Sequence, residues 1–424
     1  MSEIIQPVKG MNDVLADQAP WWDRVEAVAA DLLASYGYER VRLPVLERTD
    51  LFKRSIGELT DIVQKEMFTF DDHGDLLTLR PEATAGVVRA ALSNGLLHNQ
   101  QQKLWCSGPM FRREKPQKGR YRQFHQMSVE ALGFSEPEVD AELIALSARL
   151  WRDLGIKSFK LEINTIGTAE ARQAYKRVLV DHFGKRRELL DEDSVRRLER
   201  NPLRILDSKN PALRELIDAA PLLSGYLDDE SRAHFEQVQR LLADVGVEFT
   251  LNPRLVRGLD YYSRTVFEWL TDRLGAQSAV CSGGRYDGLV EQLGGRATPA
   301  VGWALGMERV VEVMQAEGIA GGALPPDAYL VAAGEAERRF AFKIAEELRS
   351  RVPGLKLSLG GSTGGFKAQL RRADKSGARV ALIVGEAEVA QGKVSFKTLR
   401  EDQPQKLVTV VECAALLGQT RPSA

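Results

Sequence analysis

The chain has 424 residues, with 58 Lys and Arg against 59 Asp and Glu, and 44% of its residues are hydrophobic. These values are typical of a globular protein with two to four domains, each able to bury its own core. A formal net charge of −1 excludes a uniformly basic nucleic-acid-binding protein. Local basic patches, which contact phosphates, remain compatible with that charge.

The cysteine and histidine content argues against built-in metal or disulfide chemistry. Cys106, Cys281 and Cys413 lie far apart without a CxxC pair, and the five histidines show no HExxH spacing. No apolar run reaches the roughly 18 residues that span a bilayer. The N-terminal sequence MSEIIQPVKG also lacks the apolar core of a secretory signal. We therefore expect a cytoplasmic protein without a structural metal.

The first third of the chain predicts a helix followed by antiparallel strands. Residues 17–37 repeat apolar side chains at helical spacing, with Gly37 where a C-cap belongs. Residues 38–47 alternate like a strand, and Pro44 suits an edge better than the middle of a sheet. A hairpin with its turn near 71–74 follows, and then two β segments flank the polar loop KPQKGR (115–120). Strand, basic loop and strand indicate an antiparallel arrangement.

Shifts in composition and pattern divide the rest of the chain. Residues 169–246 carry 15 acidic and 14 basic residues in helical patterns, which indicates an all-helical insertion between 1–168 and 247–324. Gly321–Pro326 is typical of a linker. Beyond it, strands and helices alternate, so that 325–424 is predicted to form a separate α/β domain with a mostly parallel sheet.

The most informative stretch is FRREKPQKGRYRQFHQ, residues 111–126, in which six cationic side chains accompany one acid, Glu114. Forked guanidinium groups pair with phosphate oxygens, so such a hairpin can hold a polyphosphate or an RNA end. Phe124 offers a stacking surface for a base. The alternative is a charged hairpin facing solvent, and the charge run by itself favours that alternative.

Two further stretches suit a small polar ligand. LVRGLDYYSRTVFE (255–268) places Arg257 near Tyr261 and Tyr262, a set that can meet a carboxylate or phosphate and the nitrogens of a ring. A turn with two half-buried tyrosines explains the same pattern equally well. SGGRYDGLVEQLGG (282–295) lets backbone approach a ligand closely, although a glycine-rich turn is a weak signal alone.

Two acidic residues complete the candidate chemistry. Glu82 stands at a predicted helix start in RPEATA (80–85), where helix capping is the favoured interpretation and binding of an ammonium group is the functional one. Glu130 falls inside a β segment, where a charge on an inward face requires a partner. A cationic or N–H-bearing ligand ring would be such a partner.

Together these stretches resemble the motifs of class II aminoacyl-tRNA synthetases, and among them of the histidyl-tRNA synthetases. Residues 111–126 resemble motif 2, VGWALGMER (301–309) resembles motif 3, and 17–47 resembles the dimer-forming motif 1. Residues 255–268 and 282–289 resemble the two motifs that distinguish the histidine enzymes. Ala83 departs from the glycine expected in RPEGTA, which narrows the turn beside Glu82 slightly.

The resemblance implies an α/β fold. An α+β catalytic domain of class II type on an antiparallel sheet would occupy 1–168 and 247–324, with the helical insertion at 169–246 and an α/β anticodon-binding domain at 325–424. It implies a cytoplasmic homodimer that ligates L-histidine to tRNA(His) through a histidyl-adenylate. ATP would be consumed as a substrate with its Mg²⁺, and no membrane would be involved.

The resemblance also implies roles for individual residues. The catalytic residues would be Arg112, Arg257 and Arg309. The ATP site would comprise Arg112, Glu114, Arg120, Phe124 and Arg309. The histidine site would comprise Glu82, Ala83, Thr84, Arg112, Gln126, Glu130, Arg257, Tyr261, Tyr262 and Tyr286. The acceptor end of the tRNA would meet Arg113, Lys115, Gln117 and Lys118.

A non-catalytic relative is the alternative prediction, namely a histidine-binding paralogue that regulates ATP phosphoribosyltransferase. Such proteins lack the C-terminal domain and lose residues of motif 2 or of the histidine motifs. Arg112, Arg257, Arg309 and residues 325–424 are all present here, so the sequence favours the ligase.

Overall fold

The computed structural model describes residues 4–420 except 58–59, 118, 207, 209, 276–278, 323–324, 361–364 and 402. The chain forms two compact units, Met1–Gly322 and Ala323–Ala424. Within the described residues, no helix has the length and apolar composition needed to cross a bilayer.

The first unit combines ten α-helices and eleven strands among its described residues. The helices are α1 (Ala19–Ser35), α2 (Thr49–Ile56), α3 (Thr84–Ser93), α4 (Pro137–Leu154), α5 (Ala169–Gly184), α6 (Glu192–Arg200), α7 (Arg214–Asp218), α8 (Asp229–Asp244), α9 (Leu289–Gln292) and α10 (Met307–Ala316). The strands are β1 (Glu39–Arg40), β2 (Leu46–Arg48), β3 (Phe68–Asp72), β4 (Asp75–Leu79), β5 (Gln102–Phe111), β6 (Gln123–Leu132), β7 (Lys160–Thr165), β8 (Thr250–Leu251), β9 (Ser263–Leu270), β10 (Ala279–Arg285) and β11 (Ala300–Gly306).

An eight-stranded sheet in the order β1-β5-β6-β11-β10-β9-β7-β8 organises this unit. Its six central strands pair antiparallel, and the two-residue strands β1 and β8 are parallel at its edges. The predicted antiparallel arrangement, with β5 and β6 flanking the basic loop, is therefore confirmed.

The two faces of the sheet have different partners, because side chains alternate along each strand. On β6, Met127, Val129 and Ala131 enter a core that also contains side chains of α1, α4, α8 and α10. We call this the back face. The intervening residues of β6, at 124, 126, 128 and 130, therefore lie on the opposite, front face. The candidate site residues of β6 all belong to this front set.

The N-terminal predictions hold for the helix and the hairpin but not for the strand. The structure confirms α1 within 17–37, with Gly37 at φ 79°, and a hairpin of β3 and β4 around 73–74. The predicted strand 38–47 is wrong, since β1 and β2 belong to different sheets. Between them the carbonyls of Leu43 and Pro44 accept hydrogen bonds from Arg80 at 3.0 and 3.2 Å instead of joining a ladder.

The predicted insertion, 169–246, is helical in its described residues and lies inside the first unit. Side chains of α5 enter the core next to the front face, where Tyr175 and Phe183 are buried. Helix α8 instead packs on α4, and its Val238 and Leu242 belong to the core behind the sheet. The helices of this segment thus reach both faces of the sheet.

The second unit is an α/β fold. Its elements are β12 (Ala328–Ala332), α11 (Glu335–Arg351), β13 (Leu357–Leu359), α12 (Phe366–Lys375), β14 (Val380–Val384), α13 (Glu386–Gln391), β15 (Val394–Thr398), β16 (Lys406–Val408) and α14 (Val410–Thr420). The sheet order is β13-β12-β14-β15-β16. The prediction of a mostly parallel sheet is only half right: β13, β12 and β14 are parallel, whereas β15 and β16 pair antiparallel because short connections join them.

Candidate active site

A cavity of about 660 Å³ opens on the front face of the large sheet. Small residues of β11, Ala304 and Gly306, line part of it, so the strand leaves room for a ligand above it. Most of the predicted site residues also line this cavity: Glu82, Thr84, Arg112, Glu114, Arg120, Phe124, Gln126, Arg257, Tyr261, Tyr262 and Arg309. Segments far apart in sequence therefore build one site.

One part of the cavity wall is strongly cationic. Arg120 forms a short ion pair with Glu114, and Arg112 lies 3.9 Å from the same carboxylate. Arg309 donates to the Gly119 carbonyl oxygen at 2.9 Å. Burial and then the charge of Arg120 lower the pKa of the Arg309 guanidinium. Three guanidinium groups thus lie close together while the one carboxylate pairs with only two of them, and an anionic ligand would relieve their mutual repulsion.

Phe124 and Arg112 are stacked. The Arg112 guanidinium lies 5.1 Å from the centroid of the Phe124 ring, which is the geometry of a cation–π contact. Arg112 also donates from Nε to the Pro81 carbonyl oxygen at 2.9 Å. One face of the predicted base platform is therefore in contact with the arginine.

Arg257 is held by an acid and an aromatic ring. It forms a short ion pair with Glu268, and its guanidinium lies 5.5 Å from the centroid of the Tyr262 ring. Ser282 Oγ donates to the same Glu268 carboxylate at 3.4 Å. Among the described residues, Arg257 Nε has no hydrogen-bond partner although it is buried. An unpaired N–H group at a cavity wall can donate a hydrogen bond to a ligand oxygen.

Glu130 is fully buried and surrounded by hydroxyl groups. Thr84 Oγ1 donates to it at 2.7 Å, Ser128 Oγ at 2.6 Å, and the Tyr286 hydroxyl forms a short hydrogen bond. Burial raises the pKa of the Glu130 carboxyl to about 7, against the opposing effect of these hydrogen bonds. Gly302 lies opposite Glu130 in the sheet, and a Cβ there would overlap the carboxylate.

Glu82 caps helix α3. Its carboxylate accepts from the backbone N–H groups of Thr84 and Ala85 at 2.7 and 2.8 Å, so the capping interpretation of the sequence is confirmed. Burial nevertheless raises the pKa of Glu82. Gln126 lies on the same cavity wall, and its buried Oε1 has no hydrogen-bond partner among the described residues.

Three tyrosines form an aromatic cluster beneath this end of the cavity. The ring centroids of Tyr261 and Tyr262 are 4.7 Å apart, and those of Tyr261 and Tyr286 are 5.5 Å apart. All three are buried. Burial raises the pKa of each hydroxyl, which keeps these groups protonated as hydrogen-bond donors.

Of the remaining predicted residues, Glu130 and Tyr286 are buried and do not line the cavity, and the others also lie away from its wall. Ala83 is buried in the core next to the front face. Arg113, Lys115 and Gln117 are exposed on the loop between β5 and β6, whereas Lys118 lies outside the described residues. Gln117 and Arg120 exchange backbone hydrogen bonds that close this loop.

Three groups at the site were not singled out from the sequence. Ser128 lies two residues before Glu130 on the same face of β6, so strand alternation could have identified it. Glu268 closes the stretch that begins with Leu255, but its pairing with Arg257 has no local signal. Glu308 accepts from the backbone N–H of His125 at 2.9 Å and contacts its ring at 3.0 Å, which joins motif 3 to β6.

The antiparallel sheet, the basic hairpin between β5 and β6, and the arginine that follows β11 define a class II aminoacyl-tRNA synthetase. Two family models match the chain: histidyl-tRNA synthetase over residues 10–310 and an anticodon binding domain over 327–419. The chain therefore belongs to the histidyl-tRNA synthetase family. Within the described ranges, no three or more His, Cys, Asp or Glu side chains are grouped so that they could hold a metal ion.

Relatives of known name match over nearly the whole length. The histidine–tRNA ligase of Nitrosomonas europaea is 54% identical over 420 residues, which are 99% of this chain and 100% of that protein. The histidine–tRNA ligase of Hydrogenovibrio crunogenus is 52% identical over 418 residues, 98% of each. The crystal structure of apo S. aureus histidyl-tRNA synthetase superposes with a TM-score of 0.82 at 33% identity, covering 98% of this chain and 100% of that one.

Proposed function

We propose that this chain joins L-histidine to tRNA(His) in two steps, both at the front-face cavity. The observation that carries the proposal is that one cavity is lined by a cluster of arginines and by Thr84, whose hydroxyl donates to the buried carboxylate of Glu130, as does the hydroxyl of Tyr286. The first set suits a triphosphate, and the second suits a small ring with N–H groups. Family membership and the named relatives support the same activity.

At the ATP end, Arg112, Arg120 and Arg309 would hold the phosphates. In the free protein Glu114 pairs with Arg120. When ATP binds, Arg120 would leave Glu114 and bind a phosphate oxygen. Adenine would stack on the face of Phe124 that Arg112 does not cover. Mg²⁺ would enter together with ATP, with phosphate oxygens among its ligands.

At the histidine end, Glu130 and the tyrosine hydroxyls would select the imidazole. The Glu130 carboxylate would accept from one ring nitrogen while the hydroxyl of Tyr262 pairs with the other, and a site built in this way rejects rings without such nitrogens. Gln126 Oε1 and Glu82 would accept from the ammonium group. Thr84 and Ala83 would shape the turn that holds Glu82.

The first step forms a bond between a carboxylate oxygen of histidine and the α-phosphorus of ATP, and the bond to the β-phosphate oxygen breaks, so that pyrophosphate leaves. Negative charge builds on the α-phosphate oxygens in the transition state. Arg112 and Arg257, positioned before the reaction, would offset that charge. The free Arg257 Nε is a donor suited to this task.

In the second step a hydroxyl of the terminal tRNA ribose attacks the histidyl carbonyl, and AMP leaves. The exposed loop residues Arg113, Lys115 and Gln117, with Lys118, would contact the acceptor end. The second unit would bind the anticodon, supported by its family match and by the cationic residues Lys367, Arg371, Arg372, Lys375 and Arg379 on and after α12.

We further propose a cytoplasmic homodimer formed through 17–47. Exposed apolar side chains in this segment, Val45 and Leu46, and on the strands of the same small sheet, Phe70 and Leu76, support an interface there. The regulatory alternative has less support, because the match to a regulatory subunit/histidyl-tRNA synthetase of Bacillus halodurans C, at 21% identity and a TM-score of 0.64, shows the fold alone.

Charging of a tRNA(His) transcript with radiolabelled histidine tests the proposal. We expect histidine to be attached to tRNA(His) and not to a control tRNA with another acceptor end and anticodon. Histidine binding by calorimetry without any charging would instead favour the regulatory protein.

A further inference from the structure

A buried charged cluster lies behind the sheet, on the face away from the cavity, and no step of the proposed reaction uses it. Arg285, the last residue of β10, is 1% exposed, and Asp140 in the first turn of α4 is equally buried. Their ion pair is short. Removing two charges from water is costly, so a buried ion pair of this kind points to a structural arrangement that it holds in place.

The guanidinium of Arg285 connects three segments. Its Nε lies 3.3 and 3.2 Å from the two Asp140 oxygens, one terminal nitrogen donates to the Phe134 carbonyl oxygen at 2.8 Å, and the other to that of Glu136 at 3.3 Å. It also donates to Asp287 Oδ1 at 3.2 Å. Phe134 and Glu136 belong to the turn between β6 and α4, so Arg285 ties the end of β10 to the end of β6.

The ends of β6 and β10 carry Glu130 and Tyr286, which form a hydrogen bond with each other at the proposed histidine site. Tyr286 follows Arg285 directly, and Glu130 lies two residues before the end of β6. The strands are not neighbours, because β11 separates them. Asp287 Oδ1 accepts from the backbone N–H of Ala300 at 3.0 Å, and Tyr286 N–H donates to the Ala300 carbonyl oxygen at 2.7 Å, so the start of β11 is fixed in the same cluster.

Helix α8 joins the cluster through His234. Its Nε2 lies 3.2 Å from Asp140 Oδ1, and because a carboxylate only accepts, the imidazole is the donor. His234 is 7% exposed, and α8 packs on α4. The last helix of the 169–246 segment is therefore attached to the same carboxylate that holds Arg285.

We propose that Arg285, Asp140 and His234 are positioning residues for histidine selection: from behind the sheet they fix the ends of β6 and β10 so that the Tyr286 hydroxyl meets Glu130. This inference rests on the proposed function of Glu130 in binding the imidazole. None of the three residues lines the cavity. Their effect on histidine use passes through Tyr286.

A double-mutant cycle between the two faces of the sheet tests the proposal. Arg285→Lys keeps the positive charge but loses the forked geometry, and Tyr286→Phe removes only the hydroxyl. Each should raise the KM for histidine in ATP–pyrophosphate exchange by roughly tenfold to a hundredfold, with the KM for ATP little changed. If both act through one hydrogen bond, the double variant should be scarcely worse than either single variant.

A charge-free double variant and a control variant separate the proposed role from a loss of folding. Asp140→Leu with Arg285→Met replaces the pair without leaving a lone buried charge, and it should fold while showing the same selective rise in the KM for histidine. Arg264→Lys is the matched control, because its ion-pair partner Glu230 on α8 is 78% exposed and neither residue lines the cavity. It should leave both KM values unchanged.

The outcomes separate the inference from the proposed function. Additive effects in the cycle, or a charge-free double variant with an unaltered KM for histidine, would overturn the positioning role while the wild-type enzyme still uses histidine. Wild-type protein without any histidine-dependent exchange would overturn the proposed function, and the inference with it.

Discussion

Replacing Gly302 with alanine tests how the histidine end of the cavity is built. Gly302 lies opposite Glu130 in the sheet, and an added Cβ would overlap Glu130 Oε2 and lie 2.6 Å from the Val129 carbonyl oxygen. Its backbone is outside the left-handed region, so alanine introduces no strain in φ. The effect of the substitution therefore comes from the contact alone.

The displaced carboxylate determines the size of the effect. Glu130 Oε2 must move, and it then loses its hydrogen bond from the Tyr286 hydroxyl. A hydrogen bond to a charged group contributes roughly 1.5–3 kcal/mol, which is divided here between folding stability and histidine affinity. We expect a lower Tm in calorimetry and a KM for histidine raised by about tenfold or more in pyrophosphate exchange.

Two controls isolate the contact. Gly288→Ala should behave as wild type, because nothing lies within 4 Å of the added Cβ and its φ is −84°. Adding Glu130→Ala to Gly302→Ala removes the overlap with the carboxylate but leaves the 2.6 Å contact with the Val129 carbonyl oxygen, so the Tm should recover only in part while histidine use stays impaired. A Gly302→Ala variant with the wild-type Tm and the wild-type KM for histidine would refute this account of the site.

Three further predictions concern single groups. Arg257→Ala should lower histidine-dependent exchange by roughly 100-fold or more while calorimetric histidine affinity changes far less, and near-normal exchange would contradict the role of Arg257. Burial raises the pKa of the Glu130 carboxyl to about 7, so between about pH 4.5 and 7 the folded chain keeps a proton that the unfolded chain releases. The free energy of unfolding should therefore fall by about 3 kcal/mol as the pH rises through this range. Glu130→Gln should flatten that pH dependence in unfolding measurements. Asp191→Ala removes the N-cap of α6, where Asp191 accepts from Ser194 N–H at 2.7 Å, and should cost about 1 kcal/mol of stability without altering exchange.

Local patterns predicted much of the fold. The helix at 17–37 and the hairpin around 73–74 depend on side-chain spacing and turn residues that lie within the same short segment. Motifs 2 and 3 could be placed for the same reason. The strand predicted at 38–47 failed because its carbonyls bond to Arg80, which is 36 or more residues away in sequence.

The site was predictable as a list of residues but not as an arrangement. Glu130 was recognised as a buried acid that requires a partner, yet its donors come from the start of α3, from β6 itself and from the end of β10. Glu268 and the cluster of Arg285 with Asp140 were missed because their pairing depends on the packing of separate strands and helices. The antiparallel end of the C-terminal sheet escaped prediction in the same way, since alternation of elements does not specify strand direction.

Histidine-dependent ATP–pyrophosphate exchange by the purified wild-type protein is the most direct measurement of the central claim, with the other amino acids as controls. The proposed site predicts exchange with histidine alone, since Glu130 and the tyrosine hydroxyls would select an imidazole and the arginine cluster would activate ATP. Exchange with other amino acids would contradict the proposed selectivity, and histidine binding without exchange would contradict the proposed catalysis.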